Sequence, residues 1–518
     1  MIAVLRHRWL VIFVMLILLA AAAFGFTRLG DAFFPETTRA QFQIDVWLPE
    51  GTQIYETERT IQQIEDYIRT LDHVTDIASA IGRGMPRFLL SYTPKSLNAS
   101  YAYLLVSVDD YQHINSLKQQ LQTDLETRFS DIVPVVYKFN FGPGHFAATP
   151  IEARFNGPDK KVLRKLAEQA MTIMHEDGGI VGIQHDWRGM AKAYRPILNE
   201  VPAQNLGIDR RAVANVLASA FDGSTVGVYR ENDELIPIVA RAPQNERING
   251  LSEIQNLWIW SPIAGQNIPL QQVMLGYKTF FEDGQIRRFD RKRAITVLGA
   301  PATEMASTAL ARIRPQIEAI ELPIGYSLKW AGEIKDSRES LESVLVPFPM
   351  FMVLMLLITI FLFNALRPAL IIWLCVPLAI IGVVSGLLVA DQPLNFVAVL
   401  GLLSLTGMLI KNAIVLLDQI ELEIQSGKSR FEAIVDSGVS RARPVMMAAM
   451  TTVLGMIPLV FDAFFAAMAV TIMTGLTFAA VLTLVVVPVL YSLFYHVKPN
   501  ERTLKPEKKT LAAVSNYQ

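Results

Sequence analysis

Lys411 and Asn412 lie well inside FVAVLGLLSLTGMLIKNAIVLLD, a near-continuous apolar run from Phe396 to Asp418. A helix needs roughly 20 apolar residues to cross the hydrocarbon core of a bilayer. A lysine at the centre of such a helix costs roughly 2.5–3.5 kcal/mol on insertion scales. Two readings account for it. The ammonium has a buried partner or lines an ion pathway, or it snorkels towards the end of the helix near Asp418. Seven residues rise about 10.5 Å, within partial reach of a long lysine side chain. Asn412 beside it could do no more than hydrogen-bond a neighbouring helix.

Such a cation needs a membrane helix to hold it, and the composition supplies several. Charged residues make up 18% of the chain and the mean hydropathy is +0.32, well towards the apolar side for a protein of this length. The net charge of -1 gives no reason to expect a nucleic-acid partner. The single cysteine, Cys375, excludes an internal disulfide framework and argues against a bound metal cluster.

Apolar runs predict spans at 9–26, 344–363, 370–390, 396–418, 445–461 and 466–492. Trp9 to Phe26 is longer than a signal-peptide core, and Phe26-Thr27-Arg28 does not resemble a cleavage site. One set of short segments holds Arg6, Arg8, Arg367, Lys428, Arg430, Arg441 and Arg443, with five further Lys and Arg in the tail. The opposite short loops, around Asp391 and Asp462, hold none. This asymmetry predicts six spans with both ends in the cytoplasm. It places residues 37–340 in the periplasm. Gly382 and Gly386 form a small-xxx-small pair suited to close helix packing. The stretch 422–439 reads as an amphipathic surface helix.

The region outside the membrane carries a repeated pattern. Phe42, Ile44, Val46 and Leu48 alternate as in a half-buried strand. A helix to Leu71, strands at 74–80 and 100–108, a helix at 112–128 and a strand at 132–140 follow. The order is βαββαβ, a ferredoxin-like unit. A second unit begins at Pro150 and is interrupted after about residue 190. It resumes with the strand Ala294 to Leu298, a helix over 304–320 and a strand from Tyr326 to Trp330. The interruption predicts an insertion with a helix capped by Asp209 and a hairpin turning at Glu231-Asn232-Asp233. Structured insertions of this kind commonly serve contacts.

Several stretches together resemble the resistance–nodulation–division (RND) transporters, and specifically the C-terminal half of their hydrophobic and amphiphilic (multidrug) branch. FFPETTRAQFQIDVWLPEGT is similar to the family's entry into its porter domain. Ile81-Gly82-Arg83-Gly84-Met85-Pro86-Arg87-Phe88 resembles its glycine-rich gate loop. His185-Asp186-Trp187-Arg188 and Asn205-Leu206-Gly207-Ile208 resemble its approach to the docking domain. Lys411-Asn412-Ala413-Ile414 and Arg441-Ala442-Arg443-Pro444 resemble the relay helix and the arginine pair of the second half.

The resemblance implies six transmembrane helices and two ferredoxin-like porter subdomains, the second carrying a docking insertion. The corresponding divisions are 1–36 for the first span; 37–148; 149–190 with 278–335; 191–277 for the insertion; 336–495 for the remaining spans; and a tail at 496–518. It implies a proton relay of Lys411 and Arg441, with Asn412 and Thr451, completed by two aspartates from an N-terminal half. Buried carboxylates beside one lysine cannot all stay charged, so protonation would move the lysine between partners. This chain has no carboxylate in the middle of a span. The family's hydroxyl position seven residues after the arginine is Ala448 here, with Thr451 and Thr452 a turn beyond.

The resemblance further implies a substrate gate loop of Gly82, Arg83, Gly84, Pro86 and Phe88. Phe139, Phe141 and Phe146 either line the adjoining apolar pocket or pack in the core. Expected partners are an N-terminal half, on another chain or in a missing segment, and then a homotrimer with a periplasmic adaptor and an outer-membrane channel. The transported compounds would be amphiphilic small molecules leaving through a bacterial inner membrane, driven by the proton gradient without a cofactor or metal. Methionines 85, 171, 174 and 190 form no recognisable metal constellation. The alternatives are an accessory subunit of Sec-type translocation, which would need a membrane aspartate, and a non-transporting envelope sensor or scaffold. No enzymatic triad, metal spacing or phosphate loop is evident.

Overall fold

The computed structural model describes residues 2–30, 32–89, 91–142, 148–241, 254 and 257–497. The tail from 498 on lies outside them. The chain divides into two compact units, residues 188–285 and the remainder.

In the larger unit six helices are long and apolar enough to cross a membrane: Arg8–Phe26, Glu333–Phe363, Leu366–Val389, Phe396–Gln425, Arg430–Val460 and Ala466–Phe494. The third and sixth are largely buried by the others. The first, second and fifth present most of their apolar surface outwards. Gly382 and Gly386 do allow close packing. A Cβ on Gly386 would overlap the Thr474 side chain, and one on Gly382 would lie 2.7 Å from the Thr474 carbonyl oxygen.

The expected surface helix over 422–439 does not form. The fourth helix runs on to Gln425 and the fifth begins at Arg430. Gly427 turns the chain at φ +93°. Ser429 then caps the new helix by accepting from the Glu432 N–H. Ser429 and Glu432 have the spacing of a capping box, which favours a helix start over continuation. The apparent amphipathic stretch is the polar tip of a helical hairpin.

Outside the membrane helices the larger unit holds two antiparallel sheets. The first contains β1 (Gln41–Trp47), β2 (Val74–Ile81), β3 (Tyr101–Val108) and β4 (Val133–Lys138), in the order β2-β3-β1-β4. Helices Ile54–Ile68 and Ile114–Arg128 cover one face, burying Ile61, Ile64, Ile68, Leu121 and Leu125 against Phe42, Ile44, Val46 and Leu104. The second contains β5 (Ile151–Asn156) and β6 (Ile180–His185), and after the smaller unit it continues with β13 (Arg288–Phe289), β14 (Lys292–Pro301) and β15 (Ser327–Gly332). Its order β6-β14-β5-β15 repeats that of the first sheet, and β13 pairs with β14 as well.

The strand at 41–47 is not half-buried. Both its faces are covered, and Gln43 and Asp45 are 2% and 3% exposed. Alternation is present, but the polar face meets tyrosine hydroxyls instead of water.

The smaller unit contains β7 (Met190–Leu198), β8 (Ser224–Glu231), β9 (Glu234–Ala240), β10 (Trp258–Ser261), β11 (Gln266–Pro269) and β12 (Met274–Asp283). β7 pairs with β12, β8 with β9 and β10 with β11. Its helix Arg210–Phe221 starts where Asp209 accepts from the Ala212 N–H at 2.7 Å. The hairpin β8–β9 turns at Asn232, φ +49°.

Candidate functional site

Four groups of residues have chemistry to offer: a cationic face on the membrane helices, the loop after β2, a cleft between the two sheets, and a histidine–aspartate cluster at the far end of β2.

Lys411 sits on the outward face of the fourth helix with Ser404, Gly407, Val415 and Asp418. Leu405, Leu409, Ala413 and Leu416 face the other helices. Among the described residues Lys411 makes no ion pair, and the small neighbours Ser404 and Gly407 leave room for another helix against it. Asn412 is half-buried beside it. Arg441 does not meet Lys411. Its Nε donates to Gln419 Oε1 at 3.0 Å, and Gln419 Nε2 donates to Glu423 Oε1 at 3.0 Å. Glu423 is also paired with Lys428 at 2.8 Å, and Lys428 with Asp436 at 2.7 Å. Thr451 lies about 15 Å along the helix from Arg441. Its hydroxyl, like that of Thr452, donates to the Ala448 carbonyl, at 2.9 and 3.0 Å. Of the four expected relay residues, Arg441 and Thr451 have their donors engaged within the chain, while the Lys411 ammonium faces outwards with no ion pair among the described residues.

The loop after β2 has reasons for both its glycines. Gly82 has φ +78°, donates to the Tyr101 carbonyl at 2.8 Å and accepts from the Asn98 N–H at 2.9 Å. A Cβ on Gly84 would lie 2.7 Å from the Lys95 nitrogen and 2.8 Å from the Tyr92 hydroxyl. The loop rests on an aromatic bed of Trp47, Tyr92, Tyr101 and Tyr103. Tyr101 donates to Asp45 Oδ1 at 2.7 Å and Tyr103 to Gln43 Oε1 at 2.9 Å. Burial, with the Asp45 charge adding to it, holds the Tyr101 hydroxyl well above its ordinary range and pushes Tyr92 up to about 12. Both stay protonated.

Above this bed Phe88 is exposed, with its ring 5.0 Å from Tyr92 and 5.9 Å from Phe139. Arg83 and Pro86 are exposed on the same loop. Phe139 is buried beneath Phe88, with Arg39 over its ring at 5.7 Å.

Phe141 is not part of this group. Its ring packs at 5.0 Å against Phe464, in the turn between the fifth and sixth helices, and Phe464 stacks on Phe34 at 6.1 Å. Phe33 and Phe396 complete that cluster, where the Phe33 N–H also donates to Glu333 Oε1 at 3.2 Å. The ends of five membrane helices thus converge beneath the first sheet. Phe146 lies outside the described residues.

Two further features went unread in the sequence. A cleft of about 570 Å³ between the sheets is lined by Glu36, Lys118, Lys138, Asn140, Glu304 and Glu333 among others. Lys138 pairs with Glu36 at 3.2 Å, and burial pushes the Lys118 ammonium down. At the far end of β2, His73 and His113 both hydrogen-bond Asp109. The cleft is assembled from residues far apart along the chain; in the second group Asp109 and His113 are four residues apart, but His73 comes from 36 residues before Asp109.

Six helices of membrane-spanning length and two sheets of the same strand order make up the larger unit. The chain belongs to the AcrB/AcrD/AcrF family of RND transporters, whose pattern matches residues 1–495. It is 23% identical over 500 residues to the nickel-cobalt-cadmium resistance protein NccA of Alcaligenes xylosoxydans xylosoxydans, covering 91% of this chain and 45% of that protein. It is 22% identical over 507 residues to the multidrug resistance protein MdtF of Escherichia coli O157:H7, covering 94% and 47%. The crystal structure of a heavy metal efflux pump superposes with a TM-score of 0.80 at 21% identity, over 96% of this chain and 51% of the pump. The chain spans about half the length of the curated relatives it matches.

Proposed function

We propose that this chain works as the C-terminal half of a proton-driven RND exporter in a bacterial inner membrane. The two sheets act as ferredoxin-like porter subdomains in the periplasm, and residues 188–285 act as a docking insertion. The observation that carries this reading is Lys411. It is a membrane-level cation on an outward helix face, and none of the described residues offers it a carboxylate at that depth. A companion half with paired aspartates would complete the relay. Protonation of those aspartates would shift Lys411 between them and rock the halves in alternating access. Arg441 would join only by giving up Gln419. Asn412 would steady the lysine, and Thr451 would contribute only by releasing the Ala448 carbonyl. The assembled pump would be a trimer working with a periplasmic adaptor and an outer-membrane channel, with no cofactor beyond the proton gradient.

For the substrate, the exposed Phe88 over Tyr92 and Phe139 supports amphiphilic organic compounds, since aromatic walls suit them. The second reading is export of divalent metal cations, supported by the relative named for nickel, cobalt and cadmium resistance.

Vesicles containing this chain together with a companion half, under a pH gradient, test both readings. Dye export that is lost in Lys411→Ala and reduced in Phe88→Ala is expected. Export of nickel or cobalt that ignores Phe88→Ala would select the cation reading. Export by this chain alone would overturn the half-pump reading.

A further inference from the structure

The end of the first sheet away from the gate loop carries a compact group of metal-ligand atoms. β2 and β3 pair from Val74 opposite Val108, so the residues just beyond them, His73 and Asp109, meet at the sheet end. The Asp109 N–H donates to the His73 carbonyl at 3.0 Å. His73 has φ +71°, a left-handed conformation in which histidine is one of the better-tolerated side chains. A 3₁₀ turn, Tyr111–His113, is capped by Asp110 and brings His113 back over the same carboxylate. His73 Nδ1 lies 2.8 Å from Asp109 Oδ2, and His113 Nδ1 lies 3.0 Å from Asp109 Oδ1, which also accepts from the Asp110 N–H at 2.7 Å. The two imidazoles stack with centroids 3.7 Å apart at 25°. All three ligand atoms fall within 4.8 Å of one another.

We propose that His73, Asp109 and His113 form a surface binding site for a divalent late transition metal such as Zn²⁺, Ni²⁺ or Cu²⁺. Two imidazoles and one carboxylate are the donor set such ions favour. Zinc bonds of 2.0–2.1 Å in a tetrahedron need ligand atoms about 3.3 Å apart, so the exposed rings would rotate out of their stack to close gaps that now reach at most 4.8 Å. An ion would bind by displacing the proton between each Nδ1 and Asp109, which frees that nitrogen's lone pair. The three side chains are 39–48% exposed, which leaves an open face for water as the fourth ligand. The ion would tie the turn before β2 to the start of helix Ile114–Arg128. The site lies about 30 Å along β2 from Gly82, so it does not depend on what the pump carries.

The test is titration of the full-length chain in detergent with Zn²⁺ by calorimetry, and with Cu²⁺ by electron paramagnetic resonance. One ion per chain, two-nitrogen hyperfine splitting and a Zn²⁺-dependent rise in Tm are expected. His73→Ala and His113→Ala should each weaken binding at least tenfold. His113→Gln can keep a hydrogen bond to Asp109 but has no imidazole nitrogen. It should match wild type in metal-free Tm and lose the metal response. A wild-type chain that binds no ion at micromolar concentration would overturn the proposal. So would a His73→Ala/His113→Ala chain that binds as many ions with the same affinity.

Discussion

Asp45 shows how much a single side chain can hold together. Its carboxylate is buried and takes hydrogen bonds from Tyr101 at 2.7 Å and Tyr137 at 3.4 Å. Tyr101→Phe would leave it short of its better donor, and a buried acceptor left unsatisfied costs about 1–3 kcal/mol. The expected result is a lower denaturation midpoint with secondary structure retained. Gly84→Ala should cost a similar amount, because the contact it would violate is with the fixed Lys95 nitrogen and not with a yielding side-chain tip. Both can be read by thermal melts in detergent. The glycines at 82 and 84 were legible, since a loop that needs unusual backbone angles advertises them locally. Phe141 was not. Its partner Phe464 lies more than 300 residues away, and no periodicity records a contact of that kind.

Among the elements, β5 carries a pH-sensitive strain. Glu152 is buried in it, and desolvation pushes its carboxyl up to about 7, while Arg154 at 3.8 Å opposes the shift only in part. A carboxyl whose folded pKa exceeds its unfolded value, near 4.3, stabilises the fold in its protonated form. That contribution is fully present below about pH 4 and is lost as pH rises through about 7. Glu152→Gln should therefore flatten the stability profile between those limits and raise the unfolding free energy at pH 8 by up to about 4 kcal/mol. Denaturant titrations across pH 5–8 would show whether the wild-type slope disappears. At the helical hairpin, Ser429→Ala should cost about 1 kcal/mol and speed amide exchange at the first turn of the fifth helix. The capping box that ended the supposed surface helix stood in the sequence. The amphipathic pattern outweighed it because the two halves of a hairpin tip are each polar on one side. Alternation along β1 was also legible, but the cover over its second face comes from a later loop and could not be.

Across the whole molecule, the membrane helices meet the first sheet through Phe33, Phe34, Phe141, Phe396 and Phe464. If helix movement drives the sheets, Phe464→Ala should cut export in the assembled pump while leaving expression and Tm near wild type. Unchanged export would assign the junction to packing alone. The six-helix layout was readable because apolar length and loop charge are properties of composition, which need no knowledge of packing. Which helix faces remain open was not readable from composition. The seam of Gly382 and Gly386 on Thr474 has a mechanical corollary, since backbones in contact cannot slide past one another without a clash. The third and sixth helices should therefore travel as one solid piece. Spin labels placed on those two should hold a constant separation through a turnover cycle, while pairs reaching across to the proposed companion half should change theirs.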